Sequence, residues 1–228
     1  MNESTHALRL RLALPACLFA CSALLVTSCG SDEGTEVSAA AASPTRSPSP
    51  TGTETRLTDD QAERKALIPA AKVTWDQAAG TAVGEVTGSK LLEIDLTRYD
   101  SGSTASPAPS PGSPAWAAEV ATQDGTVHRV LVDAESGTVL LSQPENDQDA
   151  DDKREIADLL SKTQVTPEQA VKTATGKKQG TVTDVHLERD DDTLIWSVDV
   201  VSQEDWSKTN FDIDAANGEI LREQVDQD

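Results

Sequence analysis

The chain has 228 residues, three cysteines, four tryptophans and a formal net charge of −20. Acidity of that size excludes nucleic acid as a partner, because phosphates call for lysine and arginine, and it disfavours charge-driven docking on anionic lipid. It suits a chain kept soluble outside the cell by self-repulsion.

Arg9 and Arg11 precede an apolar stretch from Leu12 to Val26. The stretch is too short, and too interrupted by Pro15, for a membrane span, and it fits the core of a secretory signal. It ends in Val26-Thr27-Ser28-Cys29, small residues before a cysteine, which resembles the bacterial lipobox. The resemblance implies cleavage after residue 28 and fatty acids on Cys29, so that the membrane is a partner through that lipid. Cys17 and Cys21 leave with the leader, and no thiol remains for a disulfide, redox or cysteine–metal site. Residues 29–56 are Ser-, Thr-, Ala- and Pro-rich, cannot bury enough surface to fold, and read as a tether spanning roughly 30 Å as a flexible coil.

From residue 57 onward the sequence is written twice. Val73-Thr-Trp-Asp-Gln-Ala78 returns as Val165-Thr-Pro-Glu-Gln-Ala170, and Trp116-Ala-Ala-Glu-Val120 as Trp196-Ser-Val-Asp-Val200. Asp133-Ala-Glu-Ser-Gly137 returns as Asp214-Ala-Ala-Asn-Gly218. Two small domains of one kind are expected, over residues 57–143 and 152–228, joined by an acidic linker at 144–151. Thr58-x-x-Gln61 opens a first helix with a capping box, and Asp152-Lys-Arg-Glu155 opens its counterpart. Thr74-x-x-Gln77 and Thr166-x-x-Gln169 open second helices with small-residue faces, which Gly84 and Gly176 end with positive φ. Apolar residues then alternate at Leu92, Ile94 and Leu96, at Trp116, Ala118 and Val120, at Val130 and Val132, and at the matching positions of the second copy. Period-two alternation means sheets with one buried and one wet face. Between Leu96 and Trp116 lie 19 residues, against 8 between Leu187 and Trp196. The excess is a Pro-rich loop insertion, 101–114, which costs little closure entropy. The expected class is α+β, each copy having one or two helices on a four-stranded antiparallel meander.

The series of capped Ala-rich helix, alternating strand, Trp-x-Val-x-Val and Ile-Asp-Ala-Ala-Asn-Gly-Glu-Ile-Leu resembles the PepSY domain, over 73–142 and 165–224. The family is known from peptidase propeptides and cell-surface proteins. The resemblance implies a non-catalytic binding role, a secreted or envelope peptidase being one partner, and it supplies no catalytic residues. The alternative class is an envelope lipoprotein that binds or senses a solute or ion.

No metalloprotease His-Glu-x-x-His, nucleophile elbow or phosphate loop occurs, so no enzyme activity and no cofactor is expected. The acidic runs 147–152 and 190–192 lack the spacing of a calcium loop and read as solvated loops. Trp116 and Trp196 share parity with core valines. Trp75 and Trp206 have no tryptophan counterpart and are candidate partner anchors. Val127, Arg129 and Leu131 correspond to Lys208, Asn210 and Asp212, so Val127 and Leu131 mark an apolar strand face, a further candidate surface for the other domain or a partner.

Overall fold

The computed structural model describes residues 57–226. The leader, Cys29 and the tether lie outside the described residues. Each copy supplies two helices and four strands. The first gives α1 (Asp59–Leu67), a 3₁₀ turn (Ile68–Ala70), α2 (Trp75–Glu85), β1 (Lys90–Arg98), β2 (Pro114–Ala121), β3 (Val127–Asp133) and β4 (Val139–Pro144). The second gives α3 (Ala150–Lys162), α4 (Pro167–Lys177), β5 (Thr181–Asp190), β6 (Thr193–Val201), β7 (Lys208–Asp214) and β8 (Ile220–Asp226).

The helix starts follow from side-chain chemistry. The Thr58 hydroxyl accepts from the Gln61 N–H while Gln61 Oε1 accepts from the Thr58 N–H. Thr166 and Gln169 repeat the exchange, and Gln77 reaches back to the Thr74 N–H. Such caps satisfy donors the first turn cannot. α3 departs from the sequence expectation: its cap is Asp149, whose carboxylate accepts from the Asp151 and Asp152 N–H groups. The acidic linker is therefore shorter than expected, Glu145 to Asp149, since Pro144 closes β4 and Ala150 opens α3. Gly84 and Gly176 sit within the last turns of α2 and α4. The first copy turns instead at Gly88, whose φ is 79°.

The α+β class and the antiparallel meander of each copy are present. The two meanders do not stand apart. β1 and β5 pair antiparallel, so the strands form one eight-stranded sheet in the order β4-β3-β2-β1-β5-β6-β7-β8. The pairing joins Glu93 to His186, Ile94 to Val185 and Asp95 to Asp184. Leu96 faces Trp116 in β2, and Leu187 faces Trp196 in β6. Aligning those two positions makes Ile94 equivalent to Val185, so the two copies are related by a pseudo-twofold axis through that central pair. Both central strands carry a bulge at matching sites, Leu91/Glu93 and Val182/Asp184.

One sheet face packs α2 and α4. Ala78, Ala82, Ala170 and Ala174 are fully buried there against Trp116, Val120, Val130, Trp196, Val198 and Phe211. The small helix faces let the helices settle onto large strand residues. The tryptophans also fix the chain entering each helix: Trp116 Nε1 donates to Val73 O at 2.9 Å and Trp196 Nε1 to Val165 O at 2.8 Å. Trp196→Phe keeps most of the volume and loses the donor. It is expected to cost about 1–2 kcal/mol in urea denaturation, and no measurable loss would show that the bond is dispensable.

α1 and α3 cross over to the opposite copy. Arg64 of α1 donates to Trp206 O and to the Asp226 carboxylate, both at 2.9 Å. The start of α3 lies on the β2–β3 turn: Gly125, with φ 82°, sits against the backbone of Lys153. Gln148, just before α3, donates to Gly125 O and accepts from the Val127 N–H. Gly125 and Trp206 occupy matching places in the two β-turns, and both have positive φ.

Candidate functional site

Alternation along β1, β2, β5, β6 and β7 turns Glu93, Asp95, Glu119, Asp184, His186, Asp199 and Lys208 away from α2 and α4. As separate sheets these would form two wet faces. The β1–β5 seam puts Asp95 directly opposite Asp184, the closest cross-strand relationship a sheet offers. α1 then closes over this ground. A cleft of ≈ 350 Å³ lies beneath it, lined among others by Arg64, Leu67, Asp95, Asp184, Asp199 and Lys208.

The electrostatics follow from burial and like charge. Burial, then Glu93 and Glu119, push the Asp95 carboxyl up to about 7, opposed by Arg129. Burial, then Asp199, Glu93 and Asp95, hold Asp184 well above the usual carboxylate range, opposed by Lys208. Glu119 is raised by burial and Glu93 despite its ion pair with Arg129. Desolvation and like-charge crowding both favour the neutral acid. Burial and like charge thus favour the protonated form of these carboxyls more than a wet sheet face would. Among the described residues, no group of three or more His, Cys, Asp or Glu side chains is placed to hold a metal ion.

Sequence reasoning missed this cluster. The carboxylates are visible as Glu93-x-Asp95 and Asp184, but nothing local says that β1 and β5 are partners. The residues singled out from sequence are not brought together. Trp75 is half-buried against the main core. Trp206 is half-buried at its turn and offers its carbonyl to Arg64. Val127 is only 3% exposed and belongs to the core, which closes it to a partner. Leu131 packs on a second small core of Tyr99, Ala115 and Leu140.

That second core exposes an asymmetry at the two sheet edges. The 101–114 insertion does not hang free as a plain hairpin loop. Thr104 N–H donates to Leu140 O at 2.7 Å, and the Ser103 and Thr104 hydroxyls donate to the same carbonyl. Ala105 packs beside Leu140, which is 2% exposed. Its equivalent on β8, Leu221, is 52% exposed, and Val225 is 48% exposed. The second copy has only a tight turn at Asp191 in place of the insertion.

Residues 164–224 match the PepSY family model, described as the peptidase propeptide and YPEB domain. This region runs from the end of the α3–α4 connection to β8. No curated protein matches the chain significantly. Among solved structures, a candidate lipoprotein from Clostridium difficile 630 is 16% identical over 68% of this chain and 94% of its own, with a TM-score of 0.41. The YpmB protein from Bacillus subtilis is 18% identical over 68% of this chain and 100% of its own, with a TM-score of 0.27. Neither likeness is close enough to support an argument about this chain. The PepSY match covers the second copy, and the equivalent elements of the first copy share its order and its tryptophan–helix bond.

Proposed function

We propose that the protein is a non-catalytic binding module held at the outer face of the cell membrane by lipid on Cys29. It takes a secreted or envelope protein as its partner and restrains a peptidase among such partners. The observation that supports this most is the PepSY match over residues 164–224. The leader, the cysteine context and the Ser/Thr/Pro composition of 29–56 support the anchored location. In-cell crosslinking of the full chain is the test. The expected result is one envelope or secreted protein joined to residues of the sheet or its edges. Crosslinks to lipid alone, with no inhibition of any secreted peptidase, would overturn the reading.

The alternative is an envelope lipoprotein that takes a solute in the cleft beneath α1, whose lining mixes Arg64 and Lys208 with Asp184 and Asp199.

A further inference from the structure

The two outer edges of the sheet occupy equivalent places, yet one is covered and the other bare. On β4 the cover is a short run of small residues, Ser103-Thr104-Ala105, bent so that Ser103 Oγ also accepts from the Ala105 N–H. It gives a main-chain N–H and two hydroxyls to Leu140 O and lays Ala105 over the second core. On β8 the matching residue, Leu221, stands open, as do Arg222, Glu223, Gln224 and Val225. The cover on β4 begins just past the end of β1. The matching place past β5 is the hairpin Asp190-Asp191-Asp192, all three exposed. It is close enough to β8 for Arg222 to reach Asp190 at 4.0 Å.

We propose that β8 takes a short segment of the partner protein, one that repeats the chemistry of the chain's own cover and carries basic residues ahead of it. A Ser, Thr or Ala run lies along the edge with an amide N–H on Leu221 O and a small side chain over Leu221. Lysine or arginine on the N-terminal side faces the Asp190–Asp192 hairpin. One main-chain bond and the hydroxyls beside it supply the attachment, and the side-chain positions supply the choice of partner. The charge of the whole chain, −20, draws such a segment in. This inference rests on the binding-module reading above and names its surface.

The test uses a fluorescent synthetic peptide, Lys-Lys-Ser-Gly-Ser-Thr-Ala-Ser, titrated into the mature chain by fluorescence polarisation. The expected result is saturable binding that weakens at least tenfold with Leu221→Asp. N-methylation of the peptide's threonine amide weakens it to the same degree, and it does so without touching the protein. Leu221 is half open, so Leu221→Asp keeps the unfolding midpoint of the parent, which thermal denaturation checks. Absence of saturable binding to the unaltered chain overturns the proposal. So does binding that responds to salt but to neither change, since that reports carboxylate attraction alone. If Leu221→Asp captures the same protein in cells as the parent does, the module reading stands and the β8 assignment falls.

Discussion

Gly125→Ala is expected to lower the stability of the chain by about 3 kcal/mol or more. A Cβ at this position would lie 1.8 Å from Lys153 O, 2.6 Å from its carbonyl carbon and 2.9 Å from its Cα. All three are backbone atoms at the start of α3, so no rotamer change relieves the overlap. Either the β2–β3 turn or the first turn of α3 must move. The positive φ of 82° adds strain of its own. Gly112→Ala is the control, because its φ of 87° carries the same strain while the space around it is open. It is expected to cost about 1 kcal/mol. Urea denaturation of both variants separates the terms. Equal losses would show that α3 is not locked on this turn. The matching place in the other copy holds Trp206, where the crossing helix keeps its distance and sends Arg64 instead. One copy therefore needs glycine and the other tolerates the largest side chain.

That contrast also shows where the sequence is informative. The helix starts at Thr58, Thr74 and Thr166 are local, since a threonine and a glutamine three residues on complete one another without help from the rest of the fold. The turns at Asp133 and Asp214 are equally local: Asp133 accepts from the Glu135 and Ser136 N–H groups and Asp214 from the Ala216 N–H. Gly137 and Gly218 close those turns at φ 77° and 78°. The period-two pattern correctly places Trp116 and Trp196 in the core, each 1% exposed. What sequence does not carry is pairing between elements far apart along the chain. Whether β1 meets β5 is decided by two outward edges whose residues look solvated in isolation. Val127 illustrates the cost. Parity puts it on the face away from α2, yet it is 3% exposed, and Gln148 of the connection to α3 accepts from its N–H.

Acidification from pH 8 to pH 5 is expected to raise the melting temperature, and Asp95→Asn is expected to reproduce most of that gain at pH 8. The Asp95 carboxyl goes from an ordinary value of 3.8 in the unfolded chain to about 7 in the fold. Above pH 7 both states carry the charge, and the folded state bears its cost fully. Between 7 and 3.8 the folded state binds a proton the unfolded chain does not, so stability rises as pH falls through that window. Asp184 and Glu119 are shifted in the same direction and add to the effect. The groups facing this cluster are Glu93, His186 and Asp199 on the strands and Asp60 and Glu63 from α1, with Arg64, Arg98, Arg129 and Lys208 as the cations. Asp124, Asp149 and Asp205 are lowered by hydrogen bonds in turns and at a cap, and they act oppositely at the acid end. Since their loss begins only near the ordinary carboxylate range, the gain above pH 5 remains visible. For Asp95→Asn at pH 8 the shift is on the order of 3–6 °C. Differential scanning calorimetry across pH decides. A melting temperature that falls steadily from pH 8 to 5, or an asparagine variant no more stable than the parent at pH 8, would show that the seam carboxylates are solvated.

The crossing of α1 onto the far meander has a mechanical consequence. The chain enters the described fold at Leu57, immediately ahead of α1, and α1 is fastened by Arg64 to the β6–β7 turn and to the end of β8. A pull applied at that entry loads both halves together, because Glu63 of α1 holds Arg98 at the end of β1 at 3.3 Å one residue before Arg64 holds the far turn. Force arriving from the amino-terminal side would thus reach the last strand of the second copy as directly as the first strand of the first.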